Sequence, residues 1–240
     1  MKKTIIQVWL LVFMVFFSGH QVFGYQEIEV SNGGAISGEV KLTGMVPKAA
    51  PLSVTKNQDY CGDHKPSEKL LVGVNGGIKN AVITIENIAQ GKMIDKNEIS
   101  VLENRNCVFV PHVQVVNVAN KLEIRNTDPI LHNTHAFLGQ ATVFNLAQPL
   151  QNQTIPKILR KPGLVKIQCD AGHTWMSAYI LVTEHPYHAV TDENGIFKIT
   201  HIPPGNYKLK VWHEELGEQV KEVLVKGGEE VKAVFDNLVK

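Results

Sequence analysis

Residues 165–176 place a thiol, an imidazole and a thioether within eight positions: Cys169, His173 and Met176. Cys and Met are soft donors and imidazole is borderline, a set that selects copper over magnesium or calcium. Three ligands on one loop need a fourth from elsewhere in the chain. Residues 126–133, Asn-Thr-Asp-Pro-Ile-Leu-His-Asn, offer His132. Two His, one Cys and a long axial Met make the trigonal arrangement of a mononuclear copper centre. Taken singly, each of these side chains is more often core packing than a ligand. Their joint spacing carries the expectation of one bound copper ion.

Strands must position such a set, and the chain reads with period two. Leu122 and Ile124 alternate with Lys121, Glu123 and Arg125; Val165, Ile167 and Cys169 continue the pattern, as do Ile36, Gly38, Val40 and Leu42, and Tyr207, Leu209 and Val211. Turn residues fall between these runs, at Asn75-Gly76-Gly77, Asn126-Thr127-Asp128-Pro129, Lys161-Pro162-Gly163, Asn194-Gly195 and Pro203-Pro204-Gly205. No stretch keeps a helical apolar period over three turns. Many short strands with regular turns predict an all-β fold of sandwich or barrel type.

At residues 109–111, 121–128, His132-Asn133 and 169–176 the sequence resembles the cupredoxins, the family of plastocyanin, azurin and amicyanin. The resemblance implies a cupredoxin-like Greek-key β-sandwich with His132, Cys169, His173 and Met176 as ligands, and Asn133 hydrogen-bonding across to tie the ligand loops together. The loop departs from plastocyanin and amicyanin, having three residues between Cys and His where they have two. That spacing looks more like the binuclear CuA loop or the red-copper protein nitrosocyanin. CuA needs a second Cys at the position of Val165, so a binuclear centre is excluded, while blue and redder mononuclear sites both stay open. Asn120 takes a turn position where the family often has Gly, a place Asn tolerates in the left-handed region. His112 is expected beside the ligands, as a hydrogen-bond partner or an extra ligand. His135, three after His132 on the same strand, points to the opposite face by the period-two rule and falls outside the ligand set.

Residues 191–209 resemble the carboxypeptidase regulatory-like module, a small transthyretin-like β-sandwich that is not a peptidase. With the leader expected at 1–24, the two resemblances divide the rest of the chain into a cupredoxin-like domain with an N-terminal extension at 25–183 and the regulatory-like module at 184–240. The last is marginal in size for a core of its own and is expected to borrow a strand from residues 178–183. Trp212-His213-Glu214 is read as a strand end, and the adjacent carboxylates Glu214 and Glu215 as solvated.

Lys2 and Lys3 before an apolar run at residues 5–17, then a polar stretch and Val22-Phe23-Gly24, form an export signal too short to span a bilayer. Export implies a periplasmic location in which disulfides persist. Of the three Cys, Cys61 and Cys107 are expected to pair, leaving Cys169 for metal; a Cys61–Cys169 pairing would remove the ligand. The 24 Lys+Arg balance 23 Asp+Glu, which argues against a nucleic-acid partner or a polybasic membrane surface. No Gly-x-Ser-x-Gly elbow, His-Glu-x-x-His, Walker loop or dinucleotide fingerprint is present, so no enzyme is expected. The sequence thus points to a periplasmic single-copper electron carrier, working with an unidentified redox protein or copper donor or acceptor. A copper storage or delivery protein, or a recognition β-sandwich with a vestigial site, are the alternatives.

Overall fold

The computed structural model describes residues 24–46, 49–236 and 238. The expected leader, apart from Gly24, lies outside them. Among the described residues no helix is long and apolar enough to cross a membrane. The fold is all-β, and among the described residues there is a single four-residue helix, Gln58–Cys61.

Two pairs of sheets each enclose a core. In the first sandwich a five-stranded sheet runs in the order Ala141–Gln148, His132–Leu138, Gly163–Gln168, Ser177–Thr183 and Val113–Asn117. It faces a four-stranded sheet of Gln153–Ile158, Lys121–Asn126, Ile99–Arg105 and Val108–Val110. Alternation explains which faces meet: Leu122 and Ile124 from one sheet, and Val165, Ile167, Ala178 and Ile180 from the other, fill one core with Leu102 and Phe109. The turn before the Lys121 strand differs from expectation. Its left-handed residue is Ala119 (φ 66°), while Asn120 uses its side-chain amide to donate to the Asp95 carbonyl at 2.9 Å.

The second sandwich is not the C-terminal segment alone. One sheet orders His188–Val190, Val82–Glu86, Gly205–His213 and Gly217–Val225; the other orders Ile196–Ile202, Gly34–Val40 and Glu230–Phe235. The Gly34 strand pairs in parallel with the Glu230 strand, and the Val82 strand antiparallel with the Gly205 strand. The core therefore mixes Ile36, Val40, Ile83 and Ile85 with Phe197, Leu209, Val211 and Phe235. A cut at residue 183 misses this arrangement. The borrowed strands come from residues 34–40 and 82–86, and Ser177–Thr183 stays in the first sandwich between the Gly163 and Val113 strands. The physical reason is size: the segment after 183 has too little apolar surface to close a core without the two N-terminal strands.

Between Val40 and Val82 the chain also leaves the second sandwich. The short pair Leu52–Ser53 and His64–Lys65 flanks the Gln58–Cys61 helix. Val54 and Cys61 from this excursion belong to the first core.

Candidate metal centre

Two loops bring the site together at one end of the first sandwich. Asn126 ends its strand and shapes the first loop: its Oδ1 accepts the Asp128 N–H at 3.1 Å, and its Nδ2 donates to the Ile130 and Gln148 carbonyls at 3.0 Å each. This places Asp128 four residues before His132, the first residue of the next strand. The second loop follows Gln168. Gly172 takes φ +93°, and the Met176 N–H closes a turn on the His173 carbonyl at 3.0 Å. Trp175 Nε1 donates to the Cys107 carbonyl at 2.9 Å, and its ring lies 5.1 Å from that of His173.

His132, Cys169 and His173 converge, with one ligand atom from each within 4.8 Å of the others, and all three are buried. The two Nδ1 atoms are 3.1 Å apart, and Cys169 Sγ is 3.6 Å from His173 Nδ1. Both imidazoles have their outer nitrogens engaged. His132 Nε2–H donates to Asp128 Oδ2 at 2.8 Å, and His173 Nε2–H donates to Asn57 Oδ1 at 2.9 Å. Asp128 can only accept when ionised. Burial alone would raise its pKa, yet the hydrogen bonds from His132, Cys107, Asn106 and Tyr60 hold it below the usual carboxylate range.

With the outer nitrogens donating, the inner Nδ1 atoms present their lone pairs to the thiol. Burial, with the charges of His132 and Lys56, pushes His173 down to about 4, so its imidazole is neutral at neutral pH. For His132 burial also lowers the pKa, but the bond to Asp128 and the neighbouring Cys169 more than reverse this, and the net shift is upward. A cation that displaces the thiol proton satisfies the two Nδ1 lone pairs and the sulfur at once, so the donor set fits a metal ion.

Met176 is buried in the first core on the same loop as Cys169 and His173. Asn133 lies across both loops: its N–H points to Cys169 Sγ at 3.4 Å, its Oδ1 accepts the Asp170 N–H at 3.3 Å, and its Nδ2 donates to Asn145 at 2.6 Å. Cys61 and Cys107 form a disulfide. Cys169 is the free, buried thiol. A second grouping of Cys107, Asp128 and His132 is equally compact, but the Cys107 sulfur is bonded to Cys61 and has no thiolate to offer.

His135 faces away from the cluster and bonds Asp170 at 2.5 Å and Thr142 at 2.9 Å. His112 is not with the ligands either. Its Nδ1–H donates to the Ser177 carbonyl at 3.0 Å, and its Nε2 meets Glu214 of the second sandwich. Glu214, expected to be solvated, has a side chain only 5% exposed. Both partners of the His112 ring are acceptors, so the ring is an imidazolium wherever Glu214 is ionised. Burial lowers its pKa, but the Glu214 bond and charge reverse this and raise it overall. The pair joins the two sandwiches beside the Tyr179–Trp212 ring contact at 5.1 Å.

Because the folded pKa of His112 is raised, the stabilisation is complete below the unfolded value of about 6.5 and is lost as the pH rises through the folded one. Glu214→Gln is expected to lower stability by about 1.5–3 kcal/mol at pH 6, an estimate for a hydrogen bond to a charged group. The difference from wild type should shrink on the alkaline side. Urea unfolding of both proteins at a series of pH values checks this, and a gap that grows with pH would contradict it.

Sequence reading missed Asp128, Asn57, Lys56 and Tyr60 as supports of the site. The four-residue spacing from Asp128 to His132 was a usable signal. The other three carry no motif, and only the Cys61–Cys107 pairing could have drawn their loop towards the site.

The family described as polysaccharide lyase family 4, domain II, matches residues 163–233, which run from the last strands of the first sandwich through most of the second. No curated protein sequence matches the chain. Among solved structures, a reduced amicyanin variant is 17% identical with a TM-score of 0.32, over 38% of this chain and 85% of its own. A purple cupredoxin from Nitrosopumilus maritimus is 18% identical with a TM-score of 0.30, over 35% and 99%. The copper-containing nitrite reductase of Thermus scotoductus is 18% identical with a TM-score of 0.33; the match spans 42% of this chain and only 27% of the reductase.

Proposed function

We propose that the chain binds one copper ion through His132, Cys169, His173 and Met176 and serves as an exported electron-transfer protein. The observation that carries this is the convergence of two imidazole Nδ1 atoms and one free thiol in a buried cluster whose outer nitrogens are already engaged. A thiolate, two imidazoles and a thioether suit both Cu(I) and Cu(II), so the bound ion would supply a one-electron couple.

The chain's own residues supply the rest. Asp128 and Asn57 fix the two rings in one tautomer each. The Asn133 N–H stabilises negative charge on Cys169 Sγ. Burial of the set excludes water, and anchoring both loops to packed strands limits rearrangement between the two charge states. We read the second sandwich as a non-catalytic module of carboxypeptidase regulatory-like type, supported by the Asp192–Ile196 turn with Gly195 at φ +75° and by Tyr207 donating to the Pro203 carbonyl at 2.8 Å. The working location is the periplasm, the partner a redox protein or copper donor or acceptor there, and no catalysis is assigned.

The test is the visible spectrum of residues 25–240 loaded with Cu(II), beside Cys169→Ser. An intense thiolate-to-copper band in the wild type, absent from the variant, is expected. A wild-type protein without such a band would overturn the reading.

A further inference from the structure

The excursion between the Leu52 and His64 strands lies over the end of the first sandwich where the ligand loops meet. Its apolar residue Val54 is buried in that core, and Cys61 is bonded there to Cys107. Three of its polar side chains reach the site. Lys56 Nζ donates to the Ala171 carbonyl at 2.7 Å, Asn57 Oδ1 accepts from His173 Nε2–H at 2.9 Å, and the Tyr60 hydroxyl donates to Asp128 Oδ1 at 3.0 Å. The Lys56 stem also fills the space beside Gly172, where an added Cβ would lie 2.9 Å from Lys56 Cδ. The result is a His173 with no exposed surface.

We propose that residues 54–62 are a cover over the metal centre, and that Asn57 is a positioning residue which holds His173 with Nδ1 turned to the ion and thereby governs how readily the ion leaves. The proposal rests on the copper reading above. A neutral imidazole has one N–H, and the nitrogen that donates leaves the lone pair on the other. The Asn57 amide oxygen draws that proton to Nε2. Without it neither tautomer is favoured, the ring is free to turn, and the ligand atom is no longer preset. Loss of such an outer hydrogen bond typically weakens metal binding about 10–100-fold. The cover also sets the route: a chelator or partner that takes the ion past the His173 edge must first displace Lys56 and Asn57.

The backbone dictates the variant. Asn57 has φ 55° and ψ 39°, in the left-handed region that glycine adopts freely and most other residues adopt with strain. Asn57→Gly therefore deletes the side chain without straining the turn, and Asn57→Asp keeps an acceptor. Lys56→Met removes a different anchor and keeps the apolar stem. In the full copper-loaded chain, excess EDTA should bleach the thiolate-to-copper band about 10–100-fold faster in Asn57→Gly than in wild type, with Asn57→Asp within about threefold of wild type and Lys56→Met in between. The side-chain ¹⁵N shifts of His173 in the metal-free protein provide a second readout. Wild type and Asn57→Asp should carry the proton on Nε2, and Asn57→Gly should show mixed tautomers. Wild-type bleaching rates in both Asn57→Gly and Lys56→Met, with one tautomer throughout, would overturn the proposal. A wild-type chain with no copper band would sink the copper reading, and the ¹⁵N shifts would still decide what Asn57 does.

Discussion

Replacing Asp128 with Ala is expected to lower the free energy of unfolding by about 3–5 kcal/mol, the range for breaking a buried charged pair. The carboxylate accepts four hydrogen bonds: from the Asn106 N–H at 2.7 Å, the Cys107 N–H at 2.8 Å, the Tyr60 hydroxyl at 3.0 Å and His132 Nε2–H at 2.8 Å. Two of these donors belong to a strained turn. Asn106 and Cys107 both have positive φ, 53° and 60°, in the tight connection between the Ile99 and Val108 strands. Such a conformation costs an L-residue about 1–2 kcal/mol, and the carboxylate offsets part of that by binding both N–H groups. Without it the buried Cys107 N–H has no acceptor, and the His132 ring loses the group that fixes its tautomer. Urea unfolding checks the magnitude. A loss below about 1 kcal/mol, the size of one ordinary hydrogen bond, would mean that water takes the place of the carboxylate.

The same residue predicts the acid limb of stability. Its folded pKa is depressed, so its contribution is complete above the unfolded value of about 3.9 and is lost as the pH falls through the folded one. Asp128→Asn should therefore be less stable than wild type at neutral pH, and the two should converge in acid.

Local pattern revealed more of this protein than its long-range pairing. Lys121–Asn126 could be read as a strand because its burial alternates over six residues, a property set by neighbours in sequence. Cys169, His173 and Met176 could be read together because one loop carries them. The second sandwich could not be delimited, because Gly34–Val40 alternates in the same way whichever sheet receives it. Its parallel partner, Glu230–Phe235, is nearly two hundred residues away. His112 shows the same limit. Its ring is oriented by Ser177, which begins a strand, and by Glu214, in the turn after the Gly205–His213 strand, and nothing within ten residues of it announces either. Asn57 was invisible for a further reason: an Asn in a left-handed turn is ordinary turn chemistry, and only the folded arrangement puts its amide oxygen on His173.

Removing the disulfide with Cys61→Ala and Cys107→Ala together should destabilise the chain by about 4 kcal/mol, the loop-closure estimate for a cross-link of this span. The bond joins residues 46 apart in sequence. Its main effect is on the unfolded chain, which loses conformational freedom when the loop is closed. Both sulfurs are buried, so the double replacement avoids leaving a lone thiol beside the site. The loop enclosed by the bond contains the Val82–Glu86 strand, which belongs to the second sandwich, whereas both of its ends pack in the first. The restriction therefore favours the two sandwiches jointly, and its loss should lower the urea midpoint of signals from either one. Treatment of wild type with a dithiol reductant should reproduce most of the loss, while the double variant should not respond to it. If only the first sandwich were destabilised, the enclosed strand would have to find its partners independently of the cross-link, and the two cores would unfold as separate units.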